Sequence, residues 1–238
     1  MRRKRHKFKV GDIFKVYLGD GLFGYALIIL KFEDIRKQNI IPEFHPLNNL
    51  MTVPILVRTY NLVTDNENIT LDYLLNIPYK NTLIIMDDLV LYGNYPIILH
   101  KEIEEDDIDF PLFYGVQSKS CKHFPHHHSM EYHFKNNPNE SIEAFFSWGF
   151  GIVRISNNDL KNNLPNFDAT IHMPQVRANL YKDVFKEYYL NGFIFDKKMK
   201  NELSKVYKYF KIPENIMFDE FNRIHNGLTK KEIISLIK

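Results

Sequence analysis

The chain has 238 residues, of which 45% are hydrophobic, 25% charged and 14% aromatic, and this composition excludes a disordered protein. The net charge of +2 hides an uneven distribution, because residues 1–9 carry six basic side chains and no acidic one. Residues 10–120 carry eight basic and sixteen acidic side chains, a balance of −8, whereas residues 121–238 sum to +4. A stretch of charge −8 disfavours contact with nucleic-acid phosphates and suits a basic protein partner.

Cysteine usage and the lack of long apolar runs indicate the compartment. The single cysteine, Cys121, cannot form a disulfide within the chain, which is typical of a reducing environment. The longest apolar run, Leu22–Leu30, is about half of the roughly 20 residues that a membrane-spanning helix needs. The basic segment Arg2–Lys7 is not followed by the apolar core of a signal peptide. We therefore expect a soluble, cytoplasmic protein.

Residues 10–30 have the pattern of two strands joined by a tight turn. Apolar and polar residues interleave up to Leu18, and the almost continuous apolar run from Phe23 to Leu30 predicts a strand that is buried on both faces. Gly24 within that run indicates a bulge or a close approach of another backbone. The turn between the strands uses residues that tolerate positive φ, namely Gly19, Asp20 and Gly21.

The next segments predict a continuing sheet with one short helix. Residues 33–50 contain two prolines and are expected to form a loop over the sheet edge. Thr70 is the expected N-cap of a helix over the following five residues. Four further segments have the composition of strands. They are Val53–Leu62, Thr82–Met86, Leu89–Tyr92 and Ile97–His100.

Beyond about residue 135 the pattern changes towards helices. The segment Ser141–Trp148 is interpreted as an amphipathic helix, and Gly149–Ile155 as a strand that joins the N-terminal sheet because it is too apolar to stay exposed. Helices are predicted at Leu160–Leu164, Val176–Leu190, Lys197–Phe210 and Glu214–His225, with a last one from the N-cap Thr229 to Ile237.

The order of these elements predicts the fold class and the domain organisation. A mostly antiparallel, twisted N-terminal sheet with a short helix, followed by a helix-rich C-terminal half, is an α+β architecture. We expect residues 1–9 to form a basic, flexible leader, residues 10–155 an α+β domain, and residues 156–238 a helical extension packed on that domain.

The sequence contains none of the common catalytic motifs. It has no phosphate-binding glycine loop, no nucleophile elbow, no HExxH motif and no CxxC pair. Cys121 lies two residues from His123, but no orienting third group is evident, so an ordinary thiol is favoured. The segment His123–His133 holds five histidines and one glutamate and could bind zinc or nickel. Adjacent histidines in an extended segment point to opposite faces, which favours an exposed loop, and no cofactor is predicted.

The segment from residue 102 to residue 109 carries six carboxylates in eight positions. Such a run cannot be buried without partners, because unpaired charges in a medium of low dielectric constant are costly. It is therefore either solvated or faces cations. Three interpretations follow: a solvated loop, a contact with a basic partner, or a metal site. The candidate partner-binding residues are Glu102, Glu104, Glu105, Asp106, Asp107 and Asp109.

Residues 10–29, VGDIFKVYLGDGLFGYALII, resemble the opening of the immunity protein 26 family of bacterial polymorphic-toxin systems. Its members tend to begin with a GD-(apolar)-F strand, followed by a polar DG turn and an aromatic-Gly-aromatic strand. The segments TLDYLL and LYGNYPIILHKEI resemble the family's helix and its Gly-x-aromatic-Pro-Ile-Ile segment, so the resemblance covers about residues 8–115. The residues that match the opening motif are Gly11, Asp12, Phe14, Asp20, Gly21, Phe23, Gly24 and Tyr25.

The resemblance implies an α+β fold and a protein that binds and neutralises a cognate bacterial toxin without catalysis. It supplies no set of toxin-contacting residues. Two alternatives come from the residues themselves. A GD-(apolar)-F strand before a glycine-rich turn also opens small barrels that bind nucleic acid, although the charge of −8 disfavours this. The histidine-rich segment could serve a metal-dependent enzyme.

Overall fold

The computed structural model describes residues 5–42, 45–49, 53–118, 142–155, 182–191 and 196–238. Within these ranges the chain forms two antiparallel sheets and several helices, so the α+β class predicted from the sequence is confirmed. The strands are β1 (Asp12–Gly19), β2 (Leu22–Lys31), β3 (Pro54–Tyr60), β4 (Tyr79–Met86), β5 (Ile97–His100), β6 (Leu112–Ser118), β7 (Ile142–Trp148) and β8 (Gly151–Ile155). The helices are α1 (Phe32–Arg36), α2 (Leu71–Leu75), α3 (Asp88–Leu91), α4 (Lys182–Asn191), α5 (Asp196–Phe210), α6 (Phe218–Ile224) and α7 (Lys230–Ile237), with 3-10 turns at Pro46–Asn49 and Glu105–Asp107.

The N-terminal sheet has the strand order β4-β3-β2-β1-β5. Because successive side chains of a strand point to opposite faces, β2 supplies two cores. Tyr25 and Leu27 enter the first core, and Ala26 and Ile28 enter a second core on the opposite face of the sheet. The central position of β2 explains its nearly unbroken apolar sequence, since polar side chains would be buried without partners on either face.

The turn between β1 and β2 is built from three consecutive residues in the left-handed region. Gly19, Asp20 and Gly21 have φ values of 94°, 52° and 74°. Glycine adopts such angles without a steric penalty, and aspartate tolerates them better than most residues. The turn thereby sets the register in which Tyr17 faces Phe23.

Gly21→Val is expected to lower the free energy of unfolding by at least about 1 kcal/mol. No atom lies within 4 Å of an added Cβ, so the cost arises from the backbone angle alone. Chemical denaturation measures it, and Gly21→Asn is the matched control because asparagine tolerates positive φ. Equal stability of the valine variant and the wild type would contradict the assignment of strain to this turn.

Three predicted elements are wrong. The segment Ser141–Trp148, interpreted as a helix, contains strand β7, because its aromatic residues fit a pleated surface that is buried on both sides. The segment Leu89–Tyr92, interpreted as a strand, lies largely in helix α3, since a four-residue apolar run has no diagnostic periodicity. The predicted loop 33–50 includes α1 and a 3-10 turn.

The prediction that Gly149–Ile155 joins the N-terminal sheet is also wrong. The strand β8 pairs with β7, which pairs with β6, and the three form a separate sheet. The hairpin between β7 and β8 still packs on the first core, where Phe150 contacts Phe110 with ring centroids 5.3 Å apart. The two sheets therefore share no strand pairing, but both contribute side chains to the first core.

The C-terminal helices cover both faces of the N-terminal sheet. From α4, Phe185, Tyr188 and Tyr189 enter the core that contains Ala26 and Ile28. From α6 and α7, apolar side chains enter the opposite core. These side chains are Phe218, Ile233 and Ile234.

The Tyr189 hydroxyl takes the place of a strand partner for Tyr25. Pairing of β2 with β3 ends at Ala26, and the backbone of residue 64 pairs with β2 again only at Phe23. In between, the Tyr25 amide donates to the Tyr189 hydroxyl at 2.7 Å. Three carbonyl oxygens lie where they can accept the proton of this hydroxyl, those of Leu62, Tyr60 and Tyr25 at 2.8, 3.0 and 3.2 Å. Burial raises the pKa of Tyr189, so the hydroxyl keeps that proton.

Gly24 makes this arrangement possible. A Cβ at residue 24 would overlap the ring of Tyr189. The glycine therefore allows a close approach, as predicted from the sequence, and the approaching group is a side chain instead of a backbone.

His45 lies in the segment between α1 and β3 and bonds this segment to the hairpin between β7 and β8. The side chain is fully buried, its Nε2 bonds the Gly149 carbonyl oxygen, and its Nδ1 accepts from the Leu47 amide at 3.2 Å. These partners require a neutral ring with the proton on Nε2. Burial lowers the pKa of His45 to about 3, which is consistent with that neutral form.

Candidate partner-binding site

The acidic segment, residues 102–109, connects β5 to β6 and includes the 3-10 turn Glu105–Asp107. Its six carboxylates fall into two groups. Asp107 is only 3% exposed, and Asp109 is partly buried. The exposed group comprises Glu102, Glu104, Glu105 and Asp106.

Asp107 is buried together with the partners that a buried carboxylate requires. Its Oδ1 accepts from the Tyr79 hydroxyl at 2.5 Å and from Lys101 Nζ at 2.8 Å, and its Oδ2 accepts from the Glu104 amide at 2.9 Å. Charge-assisted hydrogen bonds of this kind are short and strong. Asp107 thus fixes the turn to β4 and to the end of β5.

Two further hydrogen bonds hold the acidic segment against the sheet. Arg58 of β3 donates from Nη1 to the Asp106 carbonyl oxygen at 2.6 Å, and its guanidinium lies over the Tyr79 ring at 4.1 Å. The Thr82 hydroxyl of β4 donates to Asp109 Oδ2 at 2.6 Å. The segment is therefore anchored to β3 and β4, while the side chain of Asp106 remains in solvent.

The tyrosines beneath the segment are held in their protonated forms. Burial, followed by the hydrogen bond to Asp107, raises the pKa of Tyr79, and burial raises the pKa of Tyr60 to about 12. The two rings lie 5.0 Å apart between centroids. At neutral pH Tyr79 is therefore a donor to the carboxylate and adds no negative charge to the segment.

Asp107→Asn is expected to lower the free energy of unfolding by about 2 kcal/mol, because Lys101 loses its counter-charge and a buried acceptor is removed. Asp106→Asn is the matched control, since that side chain is exposed and should change stability by less than about 0.5 kcal/mol. Urea denaturation of both variants measures the difference. Equal stability of the two would contradict a structural role for Asp107.

The residues that anchor the acidic segment were not identified from the sequence. Arg58 lies on β3, Tyr79 on β4 and Lys101 directly after β5, and only the fold brings them together. The adjacent Lys101 was the one available signal, because a base beside a run of carboxylates is a candidate counter-charge.

No cluster of metal-ligand side chains accompanies this site in the described ranges. Among those residues, no three His, Cys, Asp or Glu side chains converge as metal ligands would. The predicted alternatives Cys121 and His123–His133 lie outside the described residues, as does the predicted helix Leu160–Leu164.

A comparison with known families finds a match, which lies in the N-terminal part of the chain. Residues 9–124 match the family model of immunity protein 26. The resemblance noted in the sequence is thereby confirmed. The matched region contains the whole N-terminal sheet, the acidic segment and β6, whereas Tyr189 and the helices α4–α7 lie outside it.

Other comparisons add no relative. The chain has no significant match among curated proteins and none among solved structures. In the part of the chain that the structure describes, no helix has both the length and the apolar character to cross a membrane.

Proposed function

We propose that this chain is a cytoplasmic immunity protein that neutralises a cognate toxin by forming a non-covalent complex, without catalysis. The observation that carries the proposal is the match of residues 9–124 to immunity protein 26. The matched region contains an exposed acidic segment that buried hydrogen bonds hold in place. In this proposal residues 10–155 form the immunity domain, residues 1–9 a basic leader and residues 156–238 a helical extension.

The toxin-contacting residues proposed from the acidic segment are the exposed ones, Glu102, Glu104, Glu105 and Asp106. Asp107 and Asp109 support them, since their carboxylates bond Tyr79, Lys101 and Thr82 within the protein. A segment that is already ordered loses little conformational entropy on binding, so pre-organisation favours affinity.

Charge gives the proposed partner its chemistry. The −8 balance of residues 10–120 sets up a negative potential that attracts a basic protein and speeds its encounter. Many toxins that act on nucleic acid need basic surfaces to contact phosphates, and such a surface would be complementary to the acidic segment.

The first test is survival of a cell that expresses this chain together with the toxin encoded by the neighbouring gene. Protection accompanied by a stoichiometric complex supports the proposal. A toxin that kills equally well with and without the chain, and that does not bind it, overturns the proposal.

The second test concerns the acidic segment. Replacing Glu104, Glu105 and Asp106 by serine should slow association with that toxin at about 50 mM salt and have little effect at about 500 mM, where the Debye length is about 4 Å. The control replaces three exposed glutamates outside the family match by serine, namely Glu187, Glu214 and Glu220. Equal association rates for both triple variants and the wild type at both salt concentrations would remove this segment from the interface.

A further inference from the structure

Helix α2 exposes two large apolar side chains and covers the same face of the N-terminal sheet as the acidic segment. Tyr73 is 50% exposed and Leu75 is 54% exposed, whereas Leu74 between them is fully buried in the first core. Residues 61–79 contain three carboxylates, Asp65, Glu67 and Asp72, and no lysine or arginine. The surface around α2 therefore combines exposed apolar groups with negative charge.

The helix is held at both of its ends. The Thr70 hydroxyl accepts from the Tyr73 amide at 3.3 Å, and the Asn76 side-chain amide donates to the Asp72 carbonyl oxygen at 2.8 Å. These caps fix the backbone that carries Tyr73 and Leu75, so both side chains leave the helix in defined directions. Exposed aromatic side chains on an ordered backbone are typical of the residues that contribute most to protein–protein affinity.

Helix α2 and the acidic segment cover the same face of the N-terminal sheet, because Leu74 and Ile108 belong to the same core. Leu75 precedes Tyr79 by four residues, and the Tyr79 hydroxyl donates to Asp107. Four residues span at most about 14 Å, which is well within the width of a standard protein–protein interface. One partner can therefore contact α2 and the 3-10 turn Glu105–Asp107 together.

We propose that Tyr73 and Leu75 form the apolar centre of the toxin-binding surface, and that Asp72 and the exposed carboxylates of residues 104–106 form its acidic rim. This inference rests on the proposed function and assigns the partner a surface that is basic around an apolar depression. Charge complementarity favours that partner, because the rim offers carboxylates and residues 61–79 contain no lysine or arginine. Of the neighbouring cations, Lys15 is paired with Glu67 at 2.8 Å, and Lys80 donates to the Leu190 carbonyl oxygen. The rim controls the rate of encounter, and the apolar centre controls the lifetime of the complex.

The experiment uses the full-length chain and the purified toxin domain encoded by the neighbouring gene, with rates measured on a surface-immobilised toxin. The double variant Tyr73→Ser and Leu75→Ser is expected to dissociate at least about 30-fold faster than the wild type, with an association rate within about twofold. The matched control replaces two exposed apolar residues outside the family match by serine, Met217 and Ile224, which are 70% and 59% exposed, and should leave both rates unchanged.

The variant Asp72→Lys provides an independent measurement, because it retains both apolar side chains and reverses one charge of the rim. It is expected to slow association at about 50 mM salt and to leave the dissociation rate near that of the wild type. Thermal unfolding of each variant confirms that the fold is retained.

The outcomes separate the two proposals. A wild-type chain that does not bind the toxin overturns the proposed function and this inference with it. A wild-type chain that binds, together with a double variant whose dissociation rate lies within about twofold of the wild type, overturns the inference and leaves the proposed function standing.

Discussion

Tyr189→Ala is expected to lower the free energy of unfolding by about 4 kcal/mol, one of the two largest effects that the structure predicts. The side chain is fully buried between α4 and the sheet, so truncation leaves a cavity. The truncation also leaves the Tyr25 amide without its acceptor. Chemical denaturation of the full-length chain measures the loss.

Tyr189→Phe separates the hydroxyl from the ring. This variant retains the packing and removes the acceptor of the Tyr25 amide, so it should cost about 1–3 kcal/mol. Tyr17→Phe is the matched control, because the Tyr17 side chain is exposed and its hydroxyl can bond water in the wild type. If Tyr189→Phe and Tyr17→Phe unfold at the same denaturant concentration, the hydroxyl does not act as a strand partner.

The second large effect is a loss of stability in acid that depends on His45. Burial lowers the pKa of this imidazole from 6.5 to about 3 in the folded protein. Between these two values the unfolded chain takes up a proton that the folded protein excludes. The free energy of unfolding therefore falls as the pH decreases from 6.5 towards 3, by up to about 1.4 kcal/mol per pH unit.

The variant His45→Gln isolates this contribution. Its side-chain amide can still donate to the Gly149 carbonyl oxygen, but it does not titrate. Urea denaturation of both proteins at several pH values between 7.5 and 4.5 gives two stability curves, and all other titrating groups are common to both. We expect the wild-type curve to fall more steeply below pH 6.5. Parallel curves would show that protonation of His45 costs nothing in the folded state.

The hairpin of β1 and β2 could be predicted from the sequence because its signals are local. The apolar run of β2 and the three residues Gly19, Asp20 and Gly21 specify a hairpin without reference to any distant residue. The sequence of β7 predicts a helix for the opposite reason. Its adjacent residues Phe145 and Phe146 point to opposite faces and are both buried, so no alternation with polar residues marks the strand. Phe146 packs against aromatic side chains of α5 and α6.

The composition of the candidate site was predictable, and its internal division was not. Six carboxylates in a row predict solvent or cations, but the sequence does not distinguish Asp107 from Asp106. Their difference arises from Tyr79, which lies 28 positions before Asp107 and reaches it only through the fold of the first sheet. The same limit applies to Tyr189, which lies 164 positions from Tyr25.

The bond between Tyr25 and Tyr189 makes one backbone amide a reporter on a distant part of the chain. Most amides in the interior of a sheet exchange with solvent deuterium only when their strands separate, but the Tyr25 amide is bonded to a side chain of α4. Undocking of α4 alone would therefore release this amide while the flanking strand pairs stay intact. A Tyr25 amide that exchanges faster than that of Leu27 would measure how often α4 leaves the sheet.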